Sequence, residues 1–151
     1  MAEPLPGAVL FACNQNRVRS PIAEALMKLF YGDRVYVDSC GLKRDEDDEP
    51  DPFVVAVMDE LGADLAAHHA KTFDELEDES YDLVISLTPE AQHRAVELAR
   101  GRAVEIEYWP THDPTLAMGG RDQVLGAYRD VRDALAARIR ERFGAPSTFG
   151  G

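Results

Sequence analysis

Two kinds of hydrophobic pattern alternate along this chain. Ala8 to Ala12 is an unbroken apolar run, and Leu83 to Leu87 is nearly one. Short runs without polar alternation predict strands buried on both faces. Val35 and Val37 alternate with Tyr36 and Asp38, and Val104, Ile106 and Tyr108 with Glu105 and Glu107. That period of two predicts half-exposed strands at the edges of a sheet. Between the strands the spacing turns helical. Ile22, Ala25, Leu26, Leu29 and Phe30 share one face of a first helix ending near Tyr31. Val54, Val57, Met58 and Leu61 mark a second, started by Asp51-Pro52 and closed by Gly62. Ala91, Ala95, Val96 and Ala99 mark a third, between Thr88-Pro89 and Gly101. Val124, Tyr128, Val131, Leu135 and Ile139 face inward from a last helix over 123–143. Thr72 to Glu79 reads as a short helical turn, and Lys43 to Asp51 as a polar loop.

Strands alternating with helices predict an α/β fold with a parallel sheet. The expectation is a single three-layer domain over residues 1–151, with helices on both faces of a four-stranded sheet. The apolar strands belong in the centre, and right-handed crossovers then suit the order 2-1-3-4. Residues 1–7 and 144–151 read as loose tails.

The most informative stretch runs from Val9 to Glu24 as strand, loop and helix. Cys13 falls at the carboxyl end of a buried strand. Ser20 and Pro21 suit the start of a helix, as cap and first helical residue. Arg19 stands at the mouth of that helix. Such a loop turns backbone N–H groups inward, and the helix dipole favours an anion there. Asn14, Gln15, Asn16, Arg17, Val18, Arg19 and Ser20 are therefore the candidate phosphate-binding segment. The planar fork of Arg19 matches two oxygens of a tetrahedral oxyanion. Positive potential at the base of the nest favours a thiolate at Cys13, placed to attack phosphorus. Ser20 can hydrogen-bond that sulfur.

Here the chain resembles the low-molecular-weight protein tyrosine phosphatase family. The resemblance rests on Val9 to Cys13, Asn16, Arg19 to Ala25, Val37 to Gly41, Asp64-Leu65 with His68, and Asp113-Pro114. It covers roughly residues 8–143. It implies the doubly covered sheet already predicted, and phosphate ester hydrolysis through a phosphocysteine. Displacing an alkoxide or phenoxide needs a proton donor. Asp113 follows an edge strand on the same rim as Cys13, and the family's general acid is likewise an aspartate before a proline. Cys13, Arg19 and Asp113 are thus the candidate catalytic set. A five-residue loop this tight needs support from below. Asn16 tolerates a left-handed backbone and can reach across to Ser39. Ser20, Glu24, Asp38 and Ser39 complete that support. His68 matches the family's histidine, and is expected either protonated between Glu24 and Asp38 or solvated beside His69.

The chain also departs from the family. Gln15 stands where glycine is frequent, and Asn14 where an apolar residue follows the cysteine. Thr115 and Leu116 replace tyrosines that would wall a phosphotyrosine ring. Phosphatase chemistry is better supported than tyrosine specificity. The family includes thiol-coupled arsenate reductases, which need further cysteines, and Cys40 is the only other one. A non-catalytic phosphate- or phosphoprotein-binding module is the third reading, although binding alone needs neither Cys13 nor Asp113.

Charge narrows the partners. A net charge of −12 argues against nucleic-acid and anionic-membrane binding. No apolar run approaches the ~20 residues of a membrane span, and Met1 to Gly7 lacks a signal-peptide pattern. A working thiol needs a reducing compartment, so the expected place is the cytoplasm. The expected ligands are a phosphorylated protein or small aryl phosphate, and inorganic phosphate or other oxyanions. A monomer or weak homodimer is expected. No metal and no cofactor are expected. The acidic run Asp45 to Glu49 would repel acidic substrates if it bordered the site.

Overall fold

The computed structural model describes residues 5–46, 49–77 and 80–144. Strands β1 (Ala8–Cys13), β2 (Tyr36–Gly41), β3 (Leu83–Ser86) and β4 (Glu105–Tyr108) form one parallel sheet. Its order is β2-β1-β3-β4, the order the apolar pattern predicts. Helices α1 (Arg19–Tyr31), α2 (Pro52–Asp59), α3 (Pro89–Ala99) and α4 (Arg121–Phe143) follow the expected succession. Phe73–Glu75 is the short helical turn expected after Thr72.

The core lies in two layers because β1 and β3 bury both faces. Val9, Phe11, Leu83 and Ile85 pack with α1, α2 and α4, whereas Leu10, Ala12 and Val84 pack with α3 and Phe73. Val9, Leu10, Phe11 and Ala12 are 0% exposed. Burial of each large side chain among them is worth about 1.5–3 kcal/mol. This makes β1 the fixed base from which Cys13 projects.

Several local expectations shift. β2 is an edge strand, yet Val37 to Gly41 are all buried. Tyr81, Lys71 and the Phe73 turn cover it from the side, so only Tyr36 behaves as an edge residue. On α1 the expected Ile22, Ala25 and Leu26 are buried, joined by Ala23 and Met27, and Leu29 is exposed. The helix is wedged between the sheet and α4, which widens its buried face. Leu61 is exposed because α2 ends at Asp59, and Val96 faces solvent on α3.

Ser20 is not the cap of α1. Val18 holds that position without a side-chain cap bond, and Ser20 lies inside the first turn with its hydroxyl turned beneath the loop. The inner ends of the predicted tails are attached. Leu5 packs on the core, the Gly7 carbonyl accepts from the Tyr36 N–H, and the Tyr31 hydroxyl donates to the Gly144 carbonyl. Residues 1–4 and 145–151 lie outside the described residues, as do two residues of each acidic run. No described helix is long and apolar enough to cross a membrane.

Candidate active site

At the carboxyl end of the sheet a cavity of about 320 Å³ is lined by Cys13, Asn14, Gln15, Arg17, Val18, Arg19, Lys43, Asp113 and Thr115. The place follows from topology: β1 lies beside the switch point, where a parallel sheet leaves a crevice between diverging loops. A slightly larger cavity of about 360 Å³ opens between Trp109 and α4. It has no thiol in its lining, so size alone does not locate the chemistry.

Cys13 stands at the base of the first cavity. Its Sγ accepts the Asn16 N–H at 3.3 Å and lies 2.9 Å from the Ser20 hydroxyl. Ser20 has one hydroxyl proton. Its other acceptor, the Cys40 carbonyl, is farther away at 3.4 Å, so the sulfur is the better partner.

Asn16 and Ser20 do not line the cavity. They are wholly buried beneath it. Asn16 has φ +53°, and is the only non-glycine among the described residues in the left-handed region. Its amide spends every position on the loop. Nδ2 donates to Ser20 at 2.9 Å and to Ser39 at 2.8 Å, and Oδ1 accepts the Lys71 N–H at 3.0 Å. Ser39 in turn donates to Glu24. Gly41 closes against the same loop, where a Cβ would meet the Asn16 nitrogen at 2.7 Å. Glycine is required there by close approach.

The lower support differs from expectation at one residue. His68 is not the cation between Glu24 and Asp38. Its Nε2 lies 2.9 Å from the Asn16 carbonyl, which can only accept, so Nε2 carries the proton. Lys71 takes the expected place, 2.6 Å from Asp38. Burial alone would lower its pKa, but the Asp38 hydrogen bond and charge, with Glu24 beyond, raise it instead. Asp38 also receives the Ser39 N–H and the Tyr81 hydroxyl. Lys71 wins because it rides on the segment whose backbone bonds both Asn16 and Gly41.

Arg19 joins the two sides of the cavity. It donates to the Thr111 carbonyl at 3.0 Å and lies 4.0 Å from Asp113 Oδ2. The oxygens of Asp113 are unequal. Oδ1 accepts the Thr115 N–H at 3.0 Å and hydroxyl at 2.7 Å, whereas Oδ2 faces Arg19 and the cavity. Asp113-Pro114 does start a turn, over Pro114–Leu116, and the same turn aims Oδ2. His112 is exposed. Among the described residues, no group of three or more His, Cys, Asp and Glu side chains could hold a metal.

Cys40 lies on the opposite face of the sheet from Cys13. It pairs with Ala12 in register and packs in the α3 layer, while Cys13 pairs with Gly41 and packs in the other. Burial pushes the Cys40 thiol well up, with the nearby Cys13 and Asp38 charges adding to it.

A low molecular weight phosphotyrosine protein phosphatase family model matches residues 8–142. The chain belongs to this family. It is an enzyme of a class built on one nucleophilic cysteine. A glutaredoxin arsenate reductase from Synechocystis is 29% identical over 131 residues, covering 87% of this chain and 92% of that protein. A solved arsenate reductase in its phosphate-binding state superposes with TM-score 0.73 at 27% identity, over 89% of this chain and 95% of the other. The low molecular weight phosphatase from T. tengcongensis shares the fold, with TM-score 0.73 at 24% identity over 89% and 96%.

Sequence reasoning missed Lys43, Lys71, Thr88 and Thr111. Thr88 caps α3 and donates to Asn14 Oδ1 at 2.7 Å, while Asn14 Nδ2 reaches Glu90 at 3.2 Å. Thr88 and Lys43 could have been found, since both follow strands at the carboxyl rim. Nothing local distinguishes Lys71 or the Thr111 carbonyl.

Proposed function

We propose that this protein is a cysteine-dependent phosphomonoester hydrolase working through a phosphocysteine intermediate. The observation that carries the reading is Cys13 Sγ held under the cavity by Asn16 and Ser20, with Arg19 and Asp113 Oδ2 above it, 4.0 Å apart. In the first step the Cys13 thiolate attacks phosphorus, the ester P–O bond breaks, and the leaving oxygen takes the proton of Asp113. In the second, water gives its proton back to Asp113 and attacks phosphorus, breaking the P–S bond and releasing phosphate. Asn14, Gln15, Arg17, Val18 and Arg19 surround the phosphate through backbone N–H groups and the Arg19 fork, while Asn16 and Ser20, expected in the same segment, hold the loop from beneath. Ser20 returns a hydrogen bond to the sulfur whenever it leaves as thiolate. A reducing compartment is needed to keep Cys13 active, which favours the cytoplasm.

Arsenate reduction with an external thiol is the second reading, favoured by relatives named arsenate reductases. An internal relay through Cys40 is unfavourable, because that thiol faces the other layer of the core. Steady-state hydrolysis of phenyl phosphate, set against glutathione- and glutaredoxin-dependent arsenite formation, separates the two. Phosphate release with no arsenite supports the phosphatase. Arsenite formation without ester hydrolysis overturns it.

A further inference from the structure

Many cations of this acidic chain lie against carboxylates, and others lie over aromatic rings. Lys28 holds Glu24, Lys71 holds Asp38, Arg44 clamps Glu75, and Arg129 with Arg132 clamps Glu60. Two cations lining the candidate active site do neither among the described residues. Lys43 and Arg17 form no ion pair with any described residue.

Both are held in place by backbone contacts. The N–H groups of Leu42 and Lys43 donate to the Asn14 carbonyl at 2.9 and 3.1 Å, which ties Lys43 to the phosphate loop itself. Arg17 Nε donates to the Glu49 carbonyl at 3.2 Å, and Arg17 is in the lining of the cavity. Arg44 turns away to Glu75, whereas Lys43 is in the lining of the cavity. Asp45, Glu46 and Glu49 do not line the cavity, and among the described residues its one carboxylate is Asp113. Of the described residues of the polar loop, the one that borders the site is the cation Lys43, while Asp47 and Asp48 of the acidic run lie outside the described residues. No aromatic side chain is among the lining residues, so nothing there walls a neutral aryl ring.

We propose that Lys43, with Arg17, forms a subsite for a second anion, and that the favoured substrates are phosphomonoesters whose leaving group itself carries an oxyanion such as a carboxylate. The scissile phosphate lies over Cys13 with Arg19, and the second anion lies at the mouth between Lys43 and Arg17. The proposal rests on the phosphatase reading for its substrate, and on geometry alone for its binding site.

The test compares 3-carboxyphenyl phosphate with 3-carbamoylphenyl phosphate in the intact protein and in Lys43→Gln and Lys43→Arg. Leaving-group differences cancel in the ratio of ratios. The preference in kcat/KM for the carboxylate should fall about fivefold in Lys43→Gln, the upper end for an exposed ion pair. It should recover in Lys43→Arg and weaken with added salt. Turnover of the carboxamide is the internal reference for each variant. The same two esters titrated calorimetrically into Cys13→Ser, with and without Lys43→Gln, read the subsite without turnover. An unchanged preference in Lys43→Gln, in either kinetics or binding, overturns the subsite. Absence of hydrolysis alongside a Lys43-dependent binding preference overturns the phosphatase reading and leaves the subsite supported.

Discussion

Asn16, at the turn of the phosphate loop, is 0% exposed, while Met118, just past Asp113, is 89% exposed. The two residues typify the two sides of one cavity. On the phosphate side, Asn16, Ser20, Ser39, Glu24 and the backbone of Lys71 form one buried hydrogen-bonded network, with Gly41 pressed against it. On the acid side, Asp113 rests on a short turn with Thr115, and Leu116 and Met118 stand in solvent. Arg19 bridges the two through the Thr111 carbonyl. The contrast fits what each side has to do. An anion cradle works by preorganised dipoles and loses strength if they must reorient. A proton donor needs one oxygen aimed correctly, and a rim that admits substrates has reason to stay open.

The largest effect should come from breaking the cradle's chemistry. Cys13→Ser should lower aryl phosphate turnover by about 10⁴-fold or more, while phosphate still binds by calorimetry. Normal turnover in that variant would remove the covalent mechanism. Arg19→Ala should lose both binding and rate. Arg19→Lys should not restore them, because an ammonium cannot reproduce the fork.

Breaking the acid side should be milder and should depend on the substrate. Asp113→Asn should cost ~100-fold for poor leaving groups and much less for acidic phenols. A Brønsted plot of rate against leaving-group pKa reads this directly. An equal loss across the series would reduce Asp113 to starting its turn.

The two sides should also differ in stability. Asn16→Ala strands partners in a buried network and places alanine at positive φ, at a cost of about 2–3 kcal/mol. Urea unfolding measures it, and a wild-type midpoint would mean the loop keeps its shape without this residue. The double change Leu116→Ser and Met118→Ser should move the same midpoint by less than ~0.5 kcal/mol. A larger loss would show that the exposed rim is a structural element after all.

Much of this was legible in the residues. The strand order followed from which runs were unbroken and which alternated, because burial on both faces and on one leave different periods. The candidate nucleophile followed from a cysteine ending a buried strand before a helix. Asn16 was legible because few residues accept a left-handed backbone. The cap at Ser20 was misjudged for a physical reason. A hydroxyl suited to a free helix end also suits a buried thiol, and the tight loop brought the thiol closer. His68 does support the loop, through the Asn16 carbonyl, but the place beside Asp38 went to Lys71, because several polar residues after α2 had the right chemistry and only their approach to the sheet selects among them.

The chain's own sequence determined the elements, the sheet order and the pair Cys13 and Arg19, because these rest on periodicity and on a loop spanning few residues. Tertiary structure alone decided three matters. Lys71, not His68, lies against Asp38. Lys43 lines the cavity while Arg44 pairs with Glu75 outside it. Cys40 faces the layer away from Cys13. Each depends on how separate segments meet across the sheet. A strand register one residue away would exchange its faces, and a loop side chain has no direction until the backbone beneath it is pinned.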